Sequence, residues 1–286
     1  MGFKDQLKNK LKEHLPEDEL SKLPGGFQSI GKVMILKLDP SLLKHKEIIG
    51  NACLALYPRV RSVYLNSGKI KGKFRKPESI KLIVGENNPL VIHTEHGVKY
   101  KFDMTKIMFS KGNLNERKYL ATLVKDGEII VDMFAGIGYF SLPIAKHSRV
   151  KKIYSIELNP ISYKYLVENI KINKFDDLIV PISGDCKAEV IKLSKNGIKA
   201  DRVIMGVFPA PRAYIKEALS LVKEEGTTFH YEGVVDKDHY LDLFDDFQDI
   251  AEKNGYTCEL KSYRAVKSFG PNLYHYVLDI ETHVAS

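Results

Sequence analysis

The 286-residue chain has no tryptophan and only three cysteines, Cys53, Cys186 and Cys258. An odd, widely spaced set without a CxxC pair excludes a disulfide framework and a cysteine-based zinc site. It suits a reducing compartment. His, Asp and Glu nowhere fall at metal-ligand spacing, so no metal is expected. No stretch approaches the ~18 consecutive apolar residues that a membrane-spanning helix needs. The opening MGFKDQLKNKLKEHL is lysine-rich and has no apolar core, which argues against a secretory signal. A cytoplasmic protein with no membrane association is expected. Internal repeats and low-complexity tracts are absent too, which removes solenoids.

What is present is ordinary globular material with a basic bias. Hydrophobic residues make up 44% of the chain, enough for a sizeable core, and 44 Lys and Arg against 36 Asp and Glu leave a net charge of +8. That sign favours a polyanionic partner.

Two rhythms divide the chain. In residues 3–15, Phe3, Leu7, Leu11 and Leu15 recur four apart, one apolar stripe on a helix opposite Lys4, Lys8, Lys10 and Lys12. The stripe suits packing on a small domain better than lying on a membrane. A strand is expected at 33–38 and a helix at 42–56, ended by Pro58. Strands at 62–66 and 70–75 around Ser67-Gly68 read as a hairpin, and further strands follow at 81–85 and 90–103, the latter broken at His96-Gly97. Residues 1–105 are therefore expected to form a small α+β domain. From about 106 to 286, strands at 128–134, 152–157, 178–183, 201–206 and 227–233 alternate with helices, the last two over 213–223 and 238–253. This is the pattern of a doubly wound parallel sheet. Strands at 258–268 and 273–282, joined at Gly270-Pro271-Asn272, add a C-terminal antiparallel hairpin.

The informative loop is Asp132-Met133-Phe134-Ala135-Gly136-Ile137-Gly138-Tyr139-Phe140, where the first core strand turns into a helix. Two glycines allow a ligand close to the backbone at the strand's carboxyl end. No further glycine completes GxGxxG and no GK[ST] is present, which disfavours dinucleotides and P-loop nucleotides. A nucleoside without pyrophosphate remains. Glu157 ends the second core strand, where a carboxylate accepts from both ribose hydroxyls. Asp185 ends the third, beside Cys186, and can receive the adenine amine while the Cys186 amide reaches a ring nitrogen. No group near Cys186 in sequence would activate it as a nucleophile.

These residues resemble a class I S-adenosylmethionine-binding, methyltransferase-like fold. More narrowly, residues 60–286 resemble the archaeal enzymes that modify guanosine-37 of tRNA, whose two branches share the segment that here reads Met108-Phe109-Ser110-Lys111-Gly112-Asn113-Leu114-Asn115-Glu116-Arg117. One branch comprises N1-methyltransferases. The other, in wybutosine biosynthesis, transfers a 3-amino-3-carboxypropyl group. The methyltransferases carry Asn-Leu-Pro or Asn-Pro-Pro at the end of the fourth core strand; here the strand ends in Met205-Gly206-Val207. Met205-Gly206, HYEGVV and YVLDI resemble the aminocarboxypropyl branch.

The resemblance implies S-adenosylmethionine as aminocarboxypropyl donor, methylthioadenosine as product, and C7 of 4-demethylwyosine at position 37 of tRNA-Phe as acceptor. It also implies roles: Ser110 and Arg117, helped by Lys111, for the cofactor's amino-acid arm; Phe134, Ala135 and Gly136 for sugar and sulfur; Glu157 for ribose; Asp185 and Cys186 for adenine. No catalytic base is assigned. Lys69, Lys71, Lys73 and Arg75 alternate along a strand and are the expected RNA-contacting row. A monomer without an obligate protein partner is expected. The rival readings are an N1-methyltransferase at the same position and a non-catalytic RNA-binding protein that kept the fold.

Overall fold

The computed structural model describes residues 1–68, 70–71, 76–77, 79–109 and 111–285, with backbone alone at 70, 71, 76, 77 and 111. The chain divides into two compact units, Met1–Thr94 with Lys99–Phe109, and Glu95–Val98 with Ser110–Ser286.

In the first unit, α1 (Phe3–Leu11) buries its leucine stripe: Leu7 and Leu11 join Leu15, Leu20, Leu23, Leu42 and Ile49 in one core. The helix stops at Leu11 rather than Leu15. Pro16 lacks the N–H that would continue the ladder and drives Leu15 out of helical geometry. The chain resumes as α2 (Glu17–Ser21). Next come β1 (Gln28–Ile30), β2 (Val33–Leu36), α3 (Lys46–Leu56), β3 (Ser62–Asn66), β4 (Ile70–Lys71), β5 (Lys76–Pro77) and β6 (Ile80–Gly85). The sheet order is β1-β2-β3-β6, with β2 and β3 parallel across α3.

The expected hairpin of 62–66 with 70–75 is not what β3 forms. Its partners are β2 and β6, while β4 pairs with β5. Val63, Tyr64 and Leu65 are all buried. A strand apolar on both faces takes a neighbour on each side, and the local Ser-Gly signal does not override that. β7 (Leu90–Glu95) and β8 (Val98–Asp103) form a hairpin whose turn residues His96 and Gly97 have φ of 49° and 77°, the positive values a tight turn demands.

The second unit carries α4 (Leu114–Leu123), β9 (Ile129–Asp132), α5 (Ser141–His147), β10 (Lys152–Glu157), α6 (Pro160–Asn173), β11 (Ile179–Ser183), α7 (Cys186–Lys195), β12 (Arg202–Met205), α8 (Ile215–Ala218), β13 (Thr227–Asp236), α9 (Tyr240–Lys253), β14 (Tyr256–Gly270) and β15 (Leu273–Val284). Its sheet runs β11-β10-β9-β12-β13-β15-β14. The first five strands are parallel, and β15 lies antiparallel between β13 and β14. This is the expected doubly wound sheet with its terminal hairpin. Because β9 is flanked by β10 on one side and β12 on the other, strand order reverses beside it. A crevice therefore opens at the carboxyl ends there.

The helix expected over 213–223 is broken into 3-10 turns on either side of α8. The Ser220 and Leu221 carbonyls accept instead from Ser194, Lys199 and Ala200, at 2.7–2.9 Å, and the final turn tightens accordingly.

Candidate active site

The Asp132–Phe140 loop closes over the crevice. The Met133 amide donates to the Ile204 carbonyl at 3.0 Å and the Ala135 amide to the Ile156 carbonyl at 2.9 Å, tying the loop to both neighbouring strands. Gly136 and Gly138 have φ of +59° and +99°, and a Cβ on Gly136 would stand 2.6 Å from the Tyr139 ring. Only glycine fits such a turn.

The Glu157 carboxylate organises this loop. Oε2 accepts from the Gly136 amide at 2.7 Å and Oε1 from the Asn159 amide at 2.6 Å. Burial raises its pKa, against the pull of those amides. Four lone-pair positions on two oxygens leave room for further donors. Asp132 is 1% exposed. Its Oδ2 accepts from Ser141 Oγ at 2.7 Å, and Ser155 Oγ in turn lies 2.8 Å from Ser141 Oγ. Burial, with the Glu157 and Glu232 charges adding, pushes Asp132 up to about 7.

Asp185 is an exposed N-cap of α7, accepting from the Lys187 amide at 3.0 Å. Cys186 is 5% exposed, and burial pushes its thiol up to about 12, which disarms it as a nucleophile. Phe134 meets Tyr214 edge-on at 5.1 Å, and Lys187 sits over the Tyr214 ring. Phe134, Ala135, Gly136 and Glu157 are thus one cluster, with Asp185 and Cys186 at the next strand end.

Arg117 is buried on α4. Its Nη1 donates to both Glu95 oxygens, at 3.0 and 3.1 Å, and its guanidinium lies over the Tyr139 ring. It therefore reaches the glycine loop through Tyr139, with its charge shared by Glu95. Ser110 lies outside the described residues, as do the Lys111 side chain, Lys69, Lys73, Arg75 and the Lys71 side chain.

Some residues escaped the sequence reading. Tyr139 lies within the loop beneath Arg117, and Tyr214 packs against its Phe134. Glu232 on β13 is 2% exposed, with its Oε2 3.0 Å from His275 Nε2 on β15. Glu116, beside Arg117, is held by Arg264 at 2.6–2.9 Å. Nothing local marks these, because their partners are distant in sequence. Glu157 and Asp185 set two carboxylates along the edge of the crevice, while Asp132 and Glu232 are buried. Among the described residues no lysine or arginine pairs with Asp132, Glu157 or Glu232. Such a rim repels phosphates and welcomes a nucleoside that carries positive charge.

The TRM5/TYW2 methyltransferase domain matches residues 91–260. This chain belongs to the TRM5/TYW2 family. The TYW2 N-terminal domain matches residues 7–88. Among its TRM5/TYW2 relatives, the tRNA(Phe) (4-demethylwyosine(37)-C(7)) aminocarboxypropyltransferase of Methanocaldococcus jannaschii is 36% identical over 88% of this chain and 96% of its own length. The tRNA (guanine(37)-N(1))-methyltransferase Trm5b of Pyrococcus abyssi is 31% identical over 93% of this chain and 77% of its own. The structure of Pyrococcus horikoshii TYW2 in complex with MeSAdo superposes with a TM-score of 0.82 at 32% identity, covering 98% of this chain and 99% of that one. Among the described residues of this TRM5/TYW2 chain, no cluster of His, Cys, Asp and Glu is placed to hold a metal, and no helix is long and apolar enough to cross a membrane.

Proposed function

We propose that this chain transfers the 3-amino-3-carboxypropyl group of S-adenosylmethionine to C7 of 4-demethylwyosine at position 37 of tRNA-Phe. One observation carries the choice of branch: 36% identity to an aminocarboxypropyltransferase across nearly the full length of both chains. Met205-Gly206 at the end of β12, in place of an asparagine-proline motif, points the same way. The crevice fits the donor. A half-buried carboxylate at the end of β10 suits ribose, a glycine loop lets the sugar approach, and an acidic rim accommodates a sulfonium.

S-adenosylmethionine supplies three electrophilic carbons on one sulfonium, and orientation decides which reacts. Glu157 holds the ribose, Asp185 and the Cys186 amide hold the adenine, and Phe134, Ala135 and Gly136 line the sugar and sulfur. Arg117, with Ser110 and Lys111, positions the amino-acid arm so that its first methylene, rather than the methyl, faces the base. The protein works as a cytoplasmic monomer with no obligate protein partner, residues 106–286 forming the catalytic domain and 1–105 contacting tRNA.

Incubating tRNA-Phe bearing the tricyclic base with S-adenosylmethionine labelled separately in arm and methyl, followed by mass spectrometry, tests this. Arm label in the RNA with release of methylthioadenosine is expected. Methyl label with release of S-adenosylhomocysteine would move the chain to the N1-methyltransferase branch, and no label at all would favour a binding protein. The RNA row has its own test. Lys71→Glu with Arg75→Glu is expected to weaken tRNA binding about tenfold or more at moderate salt while sparing cofactor affinity. Unchanged tRNA binding would remove that row from the interface.

A further inference from the structure

We infer that Glu232, held by His275, is the group that accepts the C7 proton of the target base. This rests on the functional reading above and adds the base that reading leaves unassigned.

Glu232 sits on β13 in the HYEGVV stretch, next to the end of β12 where Gly206 stands. A Cβ on Gly206 would come within 3.2 Å of Glu232 Oε1 and 3.1 Å of the Phe140 ring. Any side chain at 206 would press on that oxygen and on the Phe140 ring, so glycine there keeps Oε1 uncapped. His275 fixes the other oxygen: its Nε2 lies 3.0 Å from Oε2, and the Phe208 ring meets its imidazole edge-on at 4.6 Å. Both side chains are almost wholly buried, 2% and 0% exposed. Oε1 makes no hydrogen bond among the described residues. With Nε2 donating, the imidazole holds the carboxylate in one orientation. A buried carboxylate is costly in the resting protein. It is well placed where positive charge develops during reaction.

The chemistry requires such a group. Ring C7 gives an electron pair to the first methylene of the arm. The carbon–sulfur bond breaks, and its pair stays on the sulfur of methylthioadenosine. The base is left cationic, with both hydrogen and the new carbon on C7. The C7–H pair then returns to the ring and the proton passes to Glu232 Oε1.

Glu232→Gln tests this, since glutamine keeps the volume and can still accept from His275. Turnover is expected to fall about 10²–10³-fold, with unchanged affinity for S-adenosylmethionine and for tRNA. With tRNA deuterated at C7, the variant should show a primary isotope effect larger than the wild type, because proton loss has become limiting. Glu232→Asp should recover part of the rate and reduce that effect. If Glu232→Gln turns over within threefold of wild type, or slows with no change in isotope effect, the proposal is overturned. A glutamine variant that fails to fold leaves the decision to Glu232→Asp, whose isotope effect must exceed the wild-type value. Failure of the functional reading looks different: wild-type protein would transfer no arm at all.

Discussion

Glu157→Ala should lower the affinity for S-adenosylmethionine by about 10²–10³-fold while leaving the fold intact. The carboxylate is the one group that shapes the glycine loop and faces the crevice. Hydrogen bonds to a charged partner contribute about 1.5–3 kcal/mol each; two ribose bonds in the lower part of that range, about 3–4 kcal/mol together, give the stated loss. Glu157→Gln should do almost as badly, although it is usually the mild substitution. Both oxygens already accept from backbone amides, Gly136 at 2.7 Å and Asn159 at 2.6 Å. A glutamine NH2 must therefore face one of those N–H groups, donor against donor. Burial raises the pKa of this carboxylate, so its ionised form costs stability as pH rises through that raised value. Removing the charge does not weaken the apo protein on that account. Affinity for the cofactor should fall as pH drops through the same value, because a protonated acid accepts from fewer donors. Isothermal titration of wild type and both variants measures this. Affinities within threefold of each other would remove Glu157 from the ribose.

The cluster around Glu157 was readable from sequence because its parts are local. Gly136, Gly138, Glu157 and Asp185 each sit at a strand's carboxyl end, and alternating strands and helices locate those ends without three-dimensional information. The residues that escaped are those whose meaning lies in a distant partner. Glu116 sits inside the MFSKGNLNER segment, yet its partner Arg264 is 148 residues away on β14. Glu232 and His275 are 43 apart and meet only because β15 runs antiparallel beside β13. The β3 error has the same origin. Ser67-Gly68 is a sound local turn signal, but the run Val63-Tyr64-Leu65 is buried on both faces and chose its neighbours by packing. Arg117 shows the limit from the other side. The family resemblance implies contact with the cofactor's amino-acid arm. The structure shows a buried ion pair with Glu95 at 3.0 Å, which no local pattern announces.

The largest expected effect on stability lies beneath the sheet, where a polar chain crosses it. Arg202 on β12 is 5% exposed. It donates to Glu128 at 3.0 and 3.1 Å, to the Leu123 carbonyl at 2.8 Å and to His230 Nε2 at 2.6 Å. Arginine has no acceptor, so His230 Nε2 must offer its lone pair, and the ring proton sits on Nδ1, 2.5 Å from Asp279 Oδ1. His230 is therefore neutral. Burial pushes its pKa down to about 4, Asp279 opposing and the two arginines Arg202 and Arg264 assisting. The unfolded chain titrates near 6.5, so between those values the unfolded state binds the extra proton. Stability from this group is full above 6.5 and is lost as pH falls through 4, roughly 3 kcal/mol in all. His230→Gln can donate to Asp279 and accept from Arg202 without titrating. Its urea-unfolding free energy should therefore decline less than wild type between pH 6.5 and 4, by about that amount. Arg202→Met should be worse at every pH, costing about 3–5 kcal/mol, because it strands the Glu128 carboxylate in the interior. Parallel pH curves for wild type and His230→Gln would mean that His230 titrates alike in both states. The neutral tautomer imposed by Arg202 would then have to be abandoned.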